Sequence, residues 1–445
     1  MIEALRNAWR LPDVRNKLLI TGLILLIYRF AAHVPVIGVN AAALEFLIDP
    51  SQNTAGAGIV GTLNLLSGGA VSNFSVIANG VYPYITASII FQLLVPVIPR
   101  LQQIQKEPGG QEKIQQYTYY LAIPMAILQA YGQIQLFSYL STTGSGPIIP
   151  GFGSELLLTL AVLATMTAGT MFAVWMGELI TEQGIGNGIS LIIFAGIVSQ
   201  APYNLANLLQ SSLHPEFDVA IFVVIVAISI LGSILIQEGI RRIPVQYGKR
   251  VRGRKQYGGA STHIPLRINP VGMIPLIFAQ AIITFPTLIV SFFPDGGFKE
   301  SVTTSFGSQS GLFYWGFFFV LTVGFTFFYS EVMVGNQDLA SNLQRNGGFI
   351  PGIRPGKRTQ EYILRVTRRI TLVGAVFLGL IAVVPGFVDF LNGLMFPGED
   401  IAGGANAARV ISGAGIIIVV GVVIDFMRQL EAQLVMRNYE GFMRR

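Results

Sequence analysis

Few residues in this 445-residue chain could carry covalent or metal chemistry. Cysteine is absent, which excludes thiolate catalysis, disulfides and thiolate-bound metals. Three histidines, His33, His214 and His263, stand too far apart in sequence to suggest a metal cluster. Within the apolar stretches the charged candidates are Arg29, Glu331 and Asp425. Charge inside a bilayer is costly and usually functional, yet Glu331 and Asp425 fall near the water-facing ends of their stretches, which disfavours a midplane proton relay. No His-Glu-x-x-His pattern and no convincing Ser/His/Asp set is found. Gly352-Ile-Arg-Pro-Gly356-Lys357-Arg358 is a phosphate-loop lookalike: it has three residues between its glycines where four are needed, and Arg358 where a hydroxyl would meet magnesium. The chain therefore reads as a non-enzyme that needs no cofactor and whose energy comes from a partner or a gradient.

Two other patterns could do physical work. Val81 and Ile85, in VIANGVYPYITASIIFQLLVPVI, lie at i, i+4, and so do Ile189 and Ile193, in GIGNGISLIIFAGIV. Pro83 is expected to bend the first of these helices. Branched aliphatics facing a pore would offer ions no ligands, although periodicity alone favours ordinary core or lipid-facing positions. The second pattern is charge. Lys249, Arg250, Arg252, Arg254 and Lys255 crowd into KRVRGRK, and Arg354, Lys357 and Arg358 cluster in a second loop. These could meet a phosphate backbone or an acidic protein, or serve only to orient the chain in its membrane.

The elements that would hold these residues are apolar. The composition is 52% hydrophobic and 12% charged, far from that of a soluble globule. A bilayer core of about 30 Å needs roughly 20 apolar residues per helix, and about ten such runs occur: Leu18–Val39, Val76–Ile98, Tyr117–Tyr139, Leu156–Met176, Ile185–Pro202, Val219–Ile236, Val271–Phe293, Leu312–Met333, Ile370–Phe390 and Val410–Met427. The expected fold is an all-α integral membrane protein. Segments 1–17 and 428–445 form cytosolic ends; residues 2–11 read as a short interfacial helix or a frayed tail, and not as a cleaved signal; 237–268 and 334–369 form the basic loops. Short basic loops stay in the cytosol, and 26 of the 29 basic residues fall on one side, leaving Arg29, Lys299 and Arg409. Both termini are then cytosolic. Gly61–Phe74 is too short to cross; it reads as a re-entrant half-helix or an external loop.

The stretches GVYPYITASIIFQLL (80–94), ITEQGIGNGISLIIFAGIV (180–198), GGASTHIPLRINPVGMIPLIFA (258–279) and GGFIPGIRPGKRTQEYI (347–363) occur in an order that resembles the SecY family, the channel subunits of Sec protein translocons. The resemblance covers essentially the whole chain. It implies two pseudo-symmetric halves of five helices, 18–202 and 218–427, joined by an external hinge loop at 203–217. It implies a constriction formed by Val81, Ile85, Ile189, Ile193, Ile277 and Ile418, and a plug at 61–74 that includes Leu63, Asn64, Leu65, Leu66, Ser67 and Gly68. It also implies a lateral gate between spans two and three and spans seven and eight. The implied partners are SecE and SecG subunits, the SecA ATPase and the ribosome at the basic loops, signal sequences and nascent polypeptides, and membrane lipid. The implied setting is an inner (plasma) or thylakoid membrane. Asn79, Gln111-Glu112 and Gln183 depart from the usual family pattern. A secondary transporter of a small solute is the rival reading; it would need polar ligands near midplane, where aliphatics stand instead.

Overall fold

The computed structural model describes residue 9 and residues 11–443 except 49–59, 62, 65–66, 143–145, 212–214, 248–249, 253–254, 258–260, 295, 308–310, 337–338 and 396–412. Leu65, Leu66, Lys249 and Arg254 lie outside the described residues, as does most of the expected interfacial helix before Leu11. The helices in chain order are α1 Pro12–Ala31, α2 Ala41–Ile48, α3 Tyr82–Val97, α4 Pro99–Lys106, α5 Gly110–Thr142, α6 Leu156–Gln183, α7 Gly188–Ser211 and α8 Pro215–Glu238. After an intervening β region come α9 Ile274–Val290, α10 Gly297–Gly307, α11 Leu312–Asn336, α12 Leu339–Arg345, α13 Lys357–Met395 and α14 Gly413–Met443. Each of the ten apolar runs overlaps a helix, with bounds that differ from the expected ones. Among the described residues, three helical segments, Leu156–Gln183, Leu312–Val332 and Lys357–Phe387, are long and apolar enough to cross a membrane on their own. The α3–α4 pair makes a fourth if counted as one broken span.

Several local expectations are corrected. Val76–Ile98 is not one bent helix: residues 76–81 form turns and α3 begins at Tyr82. Pro83 therefore sits in the first helical turn, where a missing amide costs nothing. The sharp bend comes at the far end, where Ile98 is extended ahead of Pro99 and the chain turns 100° into α4. The hinge expected as a loop at 203–217 is mostly helical, since α7 runs to Ser211 and α8 starts at Pro215. The second basic loop is shorter than expected. α13 begins at Lys357, so Arg358, Arg365, Arg368 and Arg369 ride on its first turns.

The expectation of an all-α chain also needs amendment. The first basic loop contains β1 Ile240–Tyr247, β2 Arg250–Arg252, β3 Lys255–Tyr257 and β4 Ser261–Arg267, and the second contains β5 Gly348–Phe349. β1 is the centre of a three-stranded antiparallel sheet: Ile243 pairs with Ile264 on β4, and Tyr247 pairs with Gly348 on β5. The local reason is alternation. Ile243 and Val245 point inward with Leu266, and they bury a small core against Leu343, Ile350 and Ile363. β2 and β3 form a separate hairpin.

The main core joins α1, the segment 60–81, α3, α5, α6, α7, α9, α11, α13 and α14 in one apolar cluster. A smaller one ties Val14 of α1 to Ile185, in the turn before α7, and to Met427 and Leu430 of α14. Close helix approach depends on small residues. Gly188 meets the Gly177 carbonyl where the α6–α7 turn folds back, so a Cβ there would overlap backbone. Gly22 on α1 has open space around it. Gly188→Ala should therefore destabilise the protein by about 1–3 kcal/mol and lower its thermal midpoint in detergent, while Gly22→Ala leaves it unchanged; equal midpoints for the two variants would contradict the packing.

Candidate pore constriction and plug seat

Five of the six proposed ring residues, Val81, Ile85, Ile193, Ile277 and Ile418, are at most 6% exposed. Ile189 is half-buried and packs against the main apolar core that holds the other five. They arrive from four places: the turn into α3, then α7, α9 and α14. α3 packs on α9, and α7 packs on α14, each pair joining helices distant in sequence. Val81 ends the turn and its carbonyl accepts the Ile85 amide at 3.0 Å, setting these two side chains one turn apart. None of the six points away from the protein as a lipid-facing residue would. Dispersion contacts hold such a cluster together, and it presents nothing an ion could bind in exchange for its hydration shell.

The proposed plug residues lie against this cluster. Val60, Gly61, Leu63 and Asn64 are helical, a short 3-10 turn covers Val71–Asn73, and Leu63, Ser67, Gly68 and Ala70 are buried. Non-helical backbone at such depth must have its polar groups paired. The Tyr28 hydroxyl donates to the Ser67 carbonyl. Arg29 Nη1 donates to the Gly68 carbonyl at 3.3 Å, and Gln200 Nε2 donates to the Gly69 carbonyl at 3.4 Å. Asn64 Oδ1 accepts the Ser72 amide at 3.1 Å. The chain then leaves by pairing with the α1–α2 connection, where the Val36 amide meets the Phe74 carbonyl and the Val76 amide meets the Val34 carbonyl. Gly68 and Gly69 take left-handed φ values of 66° and 88°, and a Cβ on Gly196 of α7 would overlap the Gly68 backbone.

A seam runs where α3 and α5 meet α9. The Tyr82 hydroxyl crosses it to the Ala281 carbonyl at 3.0 Å, and Tyr131 stacks on Phe292 with centroids 5.2 Å apart. At one end, Lys299 Nζ of α10 lies 4.2 Å from the centre of the Tyr139 ring of α5. Beside the seam, Asn79, Tyr82, Gln129 and Gln133 line a small cavity with Leu63 and Leu288. Asn79, a departure from the family pattern, is satisfied: its side-chain amide donates to the Ala126 carbonyl at 3.2 Å. Gln111, Glu112 and Gln183 are exposed at helix ends.

The basic loops are drawn together by the β1–β5 pairing, which sequence periodicity did not reveal because β5 has only two residues. Arg354, Lys357 and Arg358 are exposed around a turn in which Gly352 and Gly356 have φ values of 79° and 103°. The Thr359 hydroxyl donates to the Arg354 carbonyl at 3.0 Å and holds that turn on the start of α13. Arg250, Arg252 and Lys255 lie on the β2–β3 hairpin. Glu331 pairs with Arg368 at an exposed helix end. Asp425 lies 3.9 Å from Arg428, which also meets Glu238 at 2.8 Å. Tyr28, Tyr82 and Gln200 were not singled out from sequence. The available signal was a hydroxyl or amide in an otherwise apolar run, which is common in membrane helices.

Comparison with known proteins gives a consistent result. The SecY family model matches residues 75–427. The protein translocase subunit SecY of Streptomyces scabiei is 40% identical over 456 residues, covering 100% of both chains. That of Mycobacterium tuberculosis strain H37Rv is 39% identical over 458 residues, again covering 100% of both. Among solved structures, a protein-conducting channel aligns with a TM-score of 0.61 at 18% identity, covering 95% of this chain and 93% of that one. A SecY whose plug domain is described as stabilising the closed channel aligns at 0.63 and 19% identity, with 95% and 92% covered. At that identity the structures speak for the fold alone. The collinear relatives at about 40% identity and a family match across most of the helical core reach further: this chain belongs to the SecY family.

Proposed function

We propose that this chain is the central pore subunit of a Sec translocase, which passively conducts unfolded secretory polypeptides across the membrane and releases transmembrane segments sideways into lipid. It is a channel and not an enzyme, as its family is. The observation that carries the reading is the burial of Val81, Ile85, Ile193, Ile277 and Ile418 in the main apolar core, with Ile189 packed against it and buried non-helical backbone in the same core. Branched side chains can part around an extended polypeptide and close again behind it. While closed they leave no polar surface for a continuous water column. A solute transporter would need polar or charged ligands at that place, and the family assignment gives that alternative no support.

In this reading all ten long apolar helices cross the membrane, in two halves of five, with both termini in the cytosol of a cell with an inner (plasma) membrane. The segment 61–74 serves as the plug, and the α3/α5–α9/α11 seam is the lateral gate. Signal sequences would enter that seam because an apolar segment is more stable in lipid than in the aqueous path. SecE- and SecG-type subunits would cover the outer helix faces. The exposed cluster of Arg354, Lys357 and Arg358, with the basic hairpin bearing Arg250, Arg252 and Lys255, would dock the SecA ATPase and the ribosome. The canine channel is known in complex with a ribosome, which supports the second partner. The positive surface suits anionic partners, ribosomal RNA included.

Reconstitution with a SecE-type subunit, SecA and ATP should yield protease-protected preprotein; none in lipid that supports a control translocase would defeat the channel reading. Replacing both Ile85 and Ile193 with glycine should raise resting ion conductance across planar bilayers, and unchanged conductance would remove these two residues from the seal. Arg354→Glu combined with Arg358→Glu should slow SecA-driven translocation roughly tenfold and flatten its dependence on salt. A variant as fast as the parent would move the docking surface elsewhere.

A further inference from the structure

The carbonyls of three successive residues in the plug turn, Ser67, Gly68 and Gly69, are each met by a side chain from a fixed helix. Tyr28 and Arg29 reach them from the last turns of α1, and Gln200 reaches from α7. Gln200 makes further bonds on the same turn: its Oε1 accepts Asn64 Nδ2 at 2.8 Å, and its Nε2 donates to Ser72 Oγ at 3.1 Å. Asn64 in turn accepts the Ser72 amide, so one side-chain amide on α7 ties both ends of the turn together. Ser67 itself is 1% exposed. The seal beside it is held by dispersion, which falls away with small displacements. The polar set differs: each bond must break before the turn can leave, and each carbonyl that leaves must find another donor. The guanidinium is suited to this seat, because a carbonyl in a water-poor place is bound more tightly by a charged donor.

We propose that Arg29 and Gln200 are positioning residues that latch the turn Ser67–Ser72 in its resting place, so that their bonds to it set how easily the plug leaves. The proposal rests on the channel reading for the identity of the plug, but its test does not require transport. The chain has no cysteine, so a single Ser67→Cys substitution creates the one thiol in the protein and reports exposure of the buried turn. In membrane vesicles, maleimide labelling of that thiol should be slow in the parent. It should be about tenfold faster when Gln200→Leu or Arg29→Leu is added, a loss of roughly one charge-assisted or two neutral hydrogen bonds. Ser72→Ala, which removes the hydroxyl that Gln200 meets and that itself donates to the Gly69 carbonyl at 3.1 Å, should give a smaller rise, and it serves should the leucine variants fail to accumulate. Ser233→Cys, buried on α8, is the control. Equal rates at Ser67→Cys with and without the latch, or a matching rise at Ser233→Cys that shows general loosening, would overturn the latch. A latch effect in a chain that never yields protected preprotein would instead count against the channel reading and leave the latch standing.

Discussion

A backbone amide or carbonyl in hydrocarbon has no water to fall back on, and each one left unpaired costs several kcal/mol. The α-helices meet this constraint internally. The segment between Ser67 and Val81 cannot, because its turns and left-handed glycines break the helical ladder. Its groups are therefore satisfied by its surroundings: Tyr28, Arg29 and Gln200 on three carbonyls, and the α1–α2 connection on the Phe74 carbonyl and the Val76 amide. The position of the segment proposed as the plug follows from that pairing. So does the need for Gly196 on α7, which lets the turn come close enough for the bonds to form.

The aliphatic set proposed as the constriction obeys the opposite logic. Its aliphatic side chains form no directional bonds, so their arrangement is set by the helices that deliver them and is free to loosen when those helices shift. On the channel reading, an apolar waist next to a turn held by polar bonds would divide two tasks. Adaptability belongs to the first, and a defined resting state to the second. The seam between α3/α5 and α9 mixes the two, with the Tyr131–Phe292 ring stack and a few polar contacts, such as Tyr82 to Ala281 and Lys299 on Tyr139.

Outside the apolar helices water is available, and the chain uses β structure. The three-stranded sheet and its small core of Ile243, Val245 and Leu266 give the two basic loops a common base. Arg354, Lys357 and Arg358 then extend from a glycine-shaped turn fastened to α13, not from a slack loop. Charges held in place lose less entropy on binding a partner than mobile ones do.

Much of this protein was legible in its residues taken in order. Long apolar runs mark where helices form, because their composition leaves few alternatives. The one-sided distribution of Lys and Arg marks where the loops cluster, and the ordered motifs point to the family. Local sequence also placed the aliphatic pairs at one-turn spacing. It could not show that Val81, Ile85, Ile277 and Ile418 share a cluster, since that depends on contacts between helices hundreds of residues apart. It left Arg29 as a charge without a role, because the carbonyl it meets belongs to residue 68. It missed the β1–β5 pairing, because two residues carry no period. Period, composition and charge are properties of neighbours along the chain and were readable there; which buried carbonyl a distant side chain satisfies is decided only when the chain has folded, because that choice is made by geometry in three dimensions.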